Sequence, residues 1–191
     1  MRIILLGAPG SGKGTQGAVL AAQFGATHIS MGDLLRSHIA ASTELGNRAH
    51  EYVQAGELVP DEIVLELIRE PVQKAAASGG YVLDGFPRSL AQAERAFALA
   101  VLLGATADAV VYLAVPDDVV RERLGLRAAE GREDDVDPEA VERRLRVFHS
   151  ETEPLLNFYR ERGLLVRVDA SGTPSEVTAA MVAALIGLKG E

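Results

Sequence analysis

Cysteine is absent from the 191 residues of the chain. Its absence excludes disulfide frameworks and zinc sites built from cysteine thiolates. An excess of positive charge is also missing, because 19 lysines and arginines stand against 27 aspartates and glutamates, a formal net charge of −8. General nucleic-acid binders usually carry a broad basic face, so we expect no nucleic-acid partner. A few arginines converging in one cleft could still bind phosphate groups.

Long apolar runs are missing as well. The N-terminal apolar run over residues 2–6 is too short for a signal-peptide core or a membrane span. Hydrophobic residues make up 48% of the chain and charged residues 24%, which is enough to bury a core. We therefore expect one compact cytoplasmic domain that does not associate with membranes.

Short apolar runs alternate with helical patterns along the chain. The apolar runs predict strands over residues 3–6, 27–29, 81–83, 109–114 and 164–168. Helical periodicity predicts helices over residues 13–24, 62–77, 90–103, 117–129, 138–162 and 175–188, with a kink or restart at Pro154. Strands without alternation, separated by helices, are typical of a parallel sheet covered on both faces. The prediction is a three-layer α/β fold around a five-stranded parallel sheet.

Two segments are interpreted as insertions into this fold. Residues 30–59 contain two short helical patterns and no strand. Residues 128–137 are polar and rich in charge, and by themselves they are more typical of a solvated loop.

A glycine-rich segment follows the first strand and opens the first helix. Its sequence over residues 7–15, Gly-Ala-Pro-Gly-Ser-Gly-Lys-Gly-Thr, matches the G-x-x-x-x-G-K phosphate-loop pattern in its required context. Glycines let backbone N–H groups turn toward an anion, and the helix N-terminus adds a partial positive charge. The segment predicts a nucleotide phosphate site formed by Gly10, Ser11, Gly12, Lys13, Gly14 and Thr15. Lys13 can reach the outer phosphates as a point charge.

The residue after Lys13 departs from the strict pattern, because Gly14 stands where a hydroxyl is usual and Thr15 follows one position later. We therefore expect Mg²⁺ to be held mainly through water and phosphate oxygens. A second motif, Asp-Gly-Phe-Pro-Arg over residues 84–88, ends the strand over residues 81–83. Ligands bind at that edge of open α/β sheets, so Asp84 could organise the metal through water. Alternatively, Asp84 only caps the following turn.

Arg88, the last residue of this motif, offers a planar fork for phosphate oxygens, and a surface salt bridge is the less favoured alternative. Gln92 lies one helical turn further on, on the same side. Its side-chain amide could pair with both a donor and an acceptor on adenine.

Together these motifs resemble the adenylate kinases. Residues 7–16 resemble the phosphate loop of that family, residues 29–36 and 56–61 resemble the two ends of its AMP-binding segment, and residues 84–88 with Gln92 resemble its AMP site. Residues 131–135 and the pair Arg144-Leu145 resemble its lid and the following helix. The matches run in family order from residue 1 to about residue 169.

The resemblance implies an enzyme that transfers a phosphoryl group from MgATP to AMP and yields two ADP. It implies a P-loop kinase domain with core residues 1–29, 60–126 and 133–191, an AMP-binding insertion over residues 30–59, and a short lid over residues 127–132. Only four residues separate Arg127 from Arg132, which matches the short-lid type. The long-lid type sometimes carries a four-cysteine zinc site, so we expect Mg²⁺ but no structural zinc. We also expect a monomer.

The resemblance also assigns roles to individual residues. Those implied to bind ATP are the phosphate-loop residues with Arg123, Arg127 and Gly172. Those implied to bind AMP are Met31, Arg36, Glu57, Leu58, Val59, Gly85, Phe86, Pro87, Arg88, Gln92, Arg132 and Arg144. Those implied to act in transfer are Lys13, Arg88, Arg123, Arg132 and Arg144. The family often has threonine at position 31, where this chain has Met31, which could pack on the base as an apolar wall.

Alternatives remain open at this stage. One extra residue between 135 and 141 leaves Arg143 or Arg144 as the phosphate contact, and we prefer Arg144 because it precedes Leu145. By themselves, Arg123 and Arg127 are more typical of a solvated helix face, and Arg132 of a loop arginine paired with Asp134 or Asp135. A UMP/CMP kinase shares this fold, but Ser-Leu-Ala-Gln over residues 89–92 favours adenine. A nucleotide-binding regulatory module is a further alternative.

Overall fold

The computed structural model describes residues 1–132 and 135–188. Its described strands are β1 (Ile3–Gly7), β2 (Thr27–Ser30), β3 (Tyr81–Asp84), β4 (Ala109–Ala114) and β5 (Leu165–Asp169). They form one parallel sheet in the order β2-β3-β1-β4-β5. This confirms the predicted α/β fold with a five-stranded parallel sheet.

Helices cover both faces of the sheet. Those of the described residues are α1 (Lys13–Phe24), α2 (Met31–Ala40), α3 (Glu44–Ala55), α4 (Asp61–Ala77), α5 (Leu90–Leu102), α6 (Asp117–Ala129), α7 (Pro138–Val147), α8 (Leu155–Arg160) and α9 (Pro174–Gly187). Within β1, Ile4 and Leu6 belong to one buried cluster, while Ile3 and Leu5 belong to a second cluster on the opposite face. Successive side chains of a strand point to opposite faces, so a strand buried on both sides is apolar throughout.

The sheet order places the ends of three strands beside one another. β1 lies between β3 and β4, and Leu5 is in register with Asp84 while Gly7 is in register with Leu113. The phosphate loop after β1 and the motif that starts at Asp84 therefore meet at the carboxyl edge of the sheet. In open α/β sheets this edge is where ligands bind.

The predicted helix over residues 138–162 is interrupted in the structure. Helix α7 is followed by a π-helical turn, Phe148–Thr152, and the chain becomes α-helical again in α8. Pro154 explains the interruption, because proline has no N–H and its ring crowds the carbonyl four residues earlier. The preceding turn widens, and the Glu153 N–H donates to the Phe148 carbonyl at 2.8 Å.

The two predicted insertions have different local structures. Helices α2 and α3 account for most of residues 30–59, with N-caps at Ser30 and Thr43. Of residues 127–132, the first three finish α6, and only residues 130–132 form the turn that follows. Glu133 and Asp134, which belong to the predicted lid motif, lie outside the described residues. The division into core, insertion and lid stays a prediction.

Among the described residues, no helix combines the length and the apolar composition needed to cross a membrane.

Candidate active site

A large cleft of about 800 Å³ opens at the carboxyl edge of the sheet. Its walls come from the phosphate loop, the α2–α3 insertion, the motif after β3, helices α6 and α7, and the segment after β5. Most of the predicted site residues line it, namely Gly10, Ser11, Gly12, Lys13, Gly14, Thr15, Arg36, Glu57, Leu58, Val59, Asp84, Gly85, Pro87, Arg88, Arg123, Arg127, Arg132, Arg144 and Gly172. The fold therefore brings together residues that are up to 162 positions apart in the sequence.

Three predicted AMP-site residues do not line this cleft: Met31, Phe86 and Gln92. They are only 2%, 3% and 2% exposed. Met31 and Phe86 belong to the apolar cluster beneath the insertion, and they follow the carboxyl ends of β2 and β3. The contacts of these three residues with AMP stay predictions.

The phosphate loop requires glycine at two positions. Gly10 and Gly12 have φ angles of 76° and 95°, which favour glycine. A side chain on Gly10 would also lie 3.0 Å from Leu124 of α6. At the start of α1, Lys13 folds back so that its Nζ donates to the Gly7 and Ala8 carbonyls at 2.8 Å each. The loop thus holds the ammonium group above the helix N-terminus.

The surroundings of Lys13 change its protonation. Burial lowers the pKa of Lys13 to about 8, Asp84 opposes that change, and Arg88, Arg144 and Arg127 lower the pKa further. The guanidinium groups from the motif after β3, from α6 and from α7 are therefore close enough to Lys13 to act on it. Such a cluster of cations suits a ligand that carries several phosphate charges.

This pKa leads to a prediction for the ligand-free enzyme. Below about pH 8 the Lys13 side chain is a charged ammonium, and above it the group becomes a neutral amine that attracts phosphate less. We expect the dissociation constant for ATP to be lowest near pH 7, where the phosphate is ionised and Lys13 is mostly charged, and to rise as the pH passes through about 8. Titration calorimetry at increasing pH measures it.

The matched control for this measurement is Lys13→Arg, because a guanidinium stays charged throughout this range. We expect that variant to bind ATP with less dependence on pH than the wild-type protein. A wild-type dissociation constant that stays flat to pH 9.5, roughly 1.5 units above the pKa, would show that Lys13 remains charged or does not contact the phosphates.

Arg88 is held by its neighbours. Its Nε donates to the Gly85 carbonyl at 2.8 Å, and its backbone N–H donates to Gln92 Oε1 at 2.8 Å. The cleft walls surround the Arg88 side chain, although water in the cleft can still reach it. Loss of hydration therefore lowers the pKa of Arg88, Asp84 opposes this, and Arg144 and Arg36 lower it further. Cationic side chains from α2 and α7 therefore lie close to Arg88.

Asp84 is a buried carboxylate that faces the phosphate loop and acts on Lys13. It is 7% exposed. A methyl group placed on Gly14 would lie 3.7 Å from Asp84 Oδ2, so the carboxylate faces the start of α1. Across residues 1–132 and 135–188, no cluster of three or more histidines and carboxylates could hold a metal by itself. A metal at Asp84 would need ligands from water and nucleotide.

The arginines of α6 and α7 share one carboxylate. Asp135 forms ion pairs with Arg127 at 3.0 Å and with Arg144 at 2.7 Å, and its side chain is 0% exposed. Arg123 donates to the carbonyls of Ser171 and Gly172 at 3.2 and 3.3 Å. These contacts fix α6 against α7 and against the segment after β5.

The structure separates the two neighbouring arginines of α7. Arg143 donates to the Ala55 carbonyl at the end of α3, at 2.5 Å, and it does not line the cleft. Arg144 lines the cleft and is close enough to act on both Lys13 and Arg88. The geometry therefore supports Arg144 as the phosphate contact.

Arg36 of α2 forms an ion pair with Asp33. Burial alone would raise the pKa of Asp33, but its hydrogen bond with Arg36 and the Arg36 charge lower it, and Arg132 adds to that effect. Arg132, after α6, therefore lies close to the insertion. The turn after α6 and the insertion approach each other across the cleft.

A family model described as adenylate kinase matches residues 5–164. The chain belongs to the adenylate kinase family. An adenylate kinase of Stenotrophomonas maltophilia is 45% identical over 98% of this chain and 100% of its own length. Those of Xylella fastidiosa and Xanthomonas campestris pv. campestris are 46% and 48% identical, over 97% and 93% of this chain and 99% and 95% of their own lengths.

Two polar residues at the site have contacts that the sequence did not predict. Asp135 was predicted as part of the lid motif and as a possible partner for Arg132, but not as the shared partner of Arg127 and Arg144. Thr152, which lines the cleft, was not considered. The lid motif places Asp135 near the site without indicating its partners, and Pro154 indicates a helix interruption near Thr152 without indicating its contact.

Proposed function

We propose that the protein catalyses the reversible transfer of the γ-phosphoryl group of MgATP to AMP, which gives two ADP. Membership of the adenylate kinase family makes it a nucleoside monophosphate kinase, and so a nucleotide-binding transferase. The observation that carries the proposal is the convergence of Lys13, Arg88, Arg127 and Arg144 on one cleft at the carboxyl edge of the sheet. Cations in this arrangement suit phosphates that approach from two sides.

The donor side of the cleft would hold ATP. Backbone N–H groups of residues 10–15 and the Lys13 ammonium would bind the phosphates, because the loop and the N-terminus of α1 present donors together. Arg127 would lie over the adenine, with Gly172 on the opposite wall. Arg123, tied to the segment after β5, would reach the phosphates.

The acceptor side would hold AMP. Arg36 and Arg88 would pair with its phosphate, and backbone groups of residues 57–59 would line the adenine and ribose. The amide nitrogen of Gln92 would read the base, since its Oε1 already accepts from the Arg88 N–H. Met31 and Phe86 would support this wall from the apolar side.

Transfer itself needs positioning and charge neutralisation more than covalent chemistry from the protein. Lys13, Arg88, Arg123, Arg132 and Arg144 would surround the phosphoryl group as it moves, and no general base is required. Movement of the insertion (30–59) and the short lid (127–132) against the remaining core would exclude water, so that ATP is not hydrolysed.

The metal of this reaction would be Mg²⁺ bound with ATP, which screens phosphate charge. Asp84 and Thr15, both on the cleft wall, would hold it through water, because a buried carboxylate and a hydroxyl suit a hard, hydrated cation. We further propose that the enzyme acts as a cytoplasmic monomer.

A panel of acceptor nucleotides at saturating MgATP tests this function. We expect kcat/KM for AMP to exceed that for UMP and CMP by about 10- to 100-fold, since the wrong base leaves a buried amide unpaired. A preference for UMP or CMP would instead favour a UMP/CMP kinase. Binding of ATP without transfer to any acceptor would favour a regulatory module.

A further inference from the structure

The backbone of Arg88 is held at both ends by side chains from elsewhere in the chain. Gln92 Oε1 accepts a hydrogen bond from the Arg88 N–H at 2.8 Å. Thr152 Oγ1, 64 positions away in the sequence, donates to the Arg88 carbonyl at 2.7 Å. Thr152 is only 7% exposed, so this hydrogen bond is shielded from water. The peptide units on either side of Arg88 are therefore fixed.

Arg88 lies among charged neighbours that act on it in opposite directions. Arg144 and Arg36 both act on Arg88, and among the groups with a resolved effect Asp84 alone attracts it. Like charges that converge without a bound phosphate favour moving apart. Uncharged contacts to the backbone can keep a guanidinium in place without neutralising it.

The π-helical turn explains how Thr152 reaches Arg88. An extra residue in a helix rotates all later side chains by about 100°, because 3.6 residues complete one turn. The wide turn over Phe148–Thr152 ends two residues before Pro154 and directs Thr152 toward the cleft. It also follows α7 without a break, so Thr152 and Arg144 lie on one continuous helical segment.

We propose that Thr152 is a positioning residue. By holding the Arg88 carbonyl, it keeps Arg88 at a set distance from Arg144, so that both arginines can bind the phosphate of the acceptor nucleotide. This inference rests on the proposed function, since it assumes that both arginines contact the phosphate of AMP. Thr152 itself would not touch the reacting atoms. It would act through the Arg88 carbonyl, and its loss would affect the acceptor side of the cleft more than the donor side.

Kinetics of three variants test this role. Thr152→Val keeps the shape and removes the donor, Thr152→Ser keeps the hydroxyl, and Thr27→Val is the control at an exposed threonine at the start of β2. We expect KM for AMP to rise about tenfold in Thr152→Val, as loss of one buried hydrogen bond implies, with KM for MgATP within about twofold. Thr152→Ser and Thr27→Val should stay close to wild type.

The measurement separates positioning from a merely structural role. A structural role would lower the melting temperature and the amount of active protein but leave KM for AMP unchanged, and that result would overturn the inference. An equal rise of both KM values would overturn it as well. If Thr152→Val does not fold, Thr152→Ala tests the same loss of the donor.

A separate binding measurement distinguishes failure of this inference from failure of the proposed function. Calorimetry reports AMP binding to wild type and to Thr152→Val without any turnover. A wild-type protein that transfers no phosphoryl group to AMP contradicts the proposed function. Equal AMP affinity of the two proteins overturns the role of Thr152, whether or not the wild type is active.

Discussion

Replacing Lys13 with methionine is expected to lower kcat by at least about 10³-fold, because a charge that meets the developing transition state is removed. Methionine has a similar length and fills the space left by the lysine stem. The Lys13 Nζ donates to two carbonyls of the phosphate loop at 2.8 Å each, and methionine cannot make these hydrogen bonds. A coupled assay for ADP formation measures kcat, and circular dichroism shows that the fold is retained.

The matched control for this variant is Lys74→Met. Lys74 lies on α4, its side chain is 75% exposed, and it pairs with Glu70. We expect that change to leave kcat unaltered. An activity of Lys13→Met within about tenfold of wild type, roughly 1.4 kcal/mol in the barrier, would contradict the role of the phosphate loop.

Replacing Arg132 with alanine should lower kcat by about 10³-fold or more, because an arginine that meets the phosphoryl group only on closure acts in the transition state. Replacing Arg36 should mainly raise KM for AMP. Arg36 lies on α2 of the insertion, paired with Asp33, and it would hold the AMP phosphate, whose charge changes little before transfer. Steady-state kinetics with AMP varied at saturating MgATP distinguish the two effects.

Arg95→Ala provides the control for both variants, because Arg95 is 61% exposed and pairs with Asp61 away from the cleft. It should change neither constant. If Arg132→Ala keeps the wild-type kcat, the lid assignment is wrong. Arg132 is then a solvated arginine, for which an ion pair contributes at most about 1 kcal/mol to stability.

The sequence predicted the sheet to within one or two residues per strand. Strands buried on both faces are apolar throughout, and glycine-rich or charged segments mark where each one ends. The phosphate loop was predictable because its function depends on backbone conformations that only a short run of glycines allows. These properties are local, so a pattern in consecutive residues indicates them.

Contacts between distant segments could not be predicted, because no pattern in consecutive residues indicates them. Nothing in the spacing shows that Asp135 pairs with both Arg127 and Arg144, or that Thr152 meets the Arg88 carbonyl. The sequence also did not indicate that the Gln92 side chain turns toward the Arg88 backbone. Because its Oε1 holds the Arg88 backbone, replacing Gln92 would disturb phosphate binding and base recognition together.

The carboxylate of Asp135 has a consequence for the speed of the enzyme. With its side chain fully enclosed, Asp135 pairs with both Arg127 and Arg144, and its single negative charge balances one of their two positive charges. A phosphate that binds these arginines would share them with this internal counter-ion, so we expect Asp135 to lower the affinity of the cleft for nucleotides. The same competition would favour release of the products, which matters in a reaction whose substrates and products carry almost the same charges.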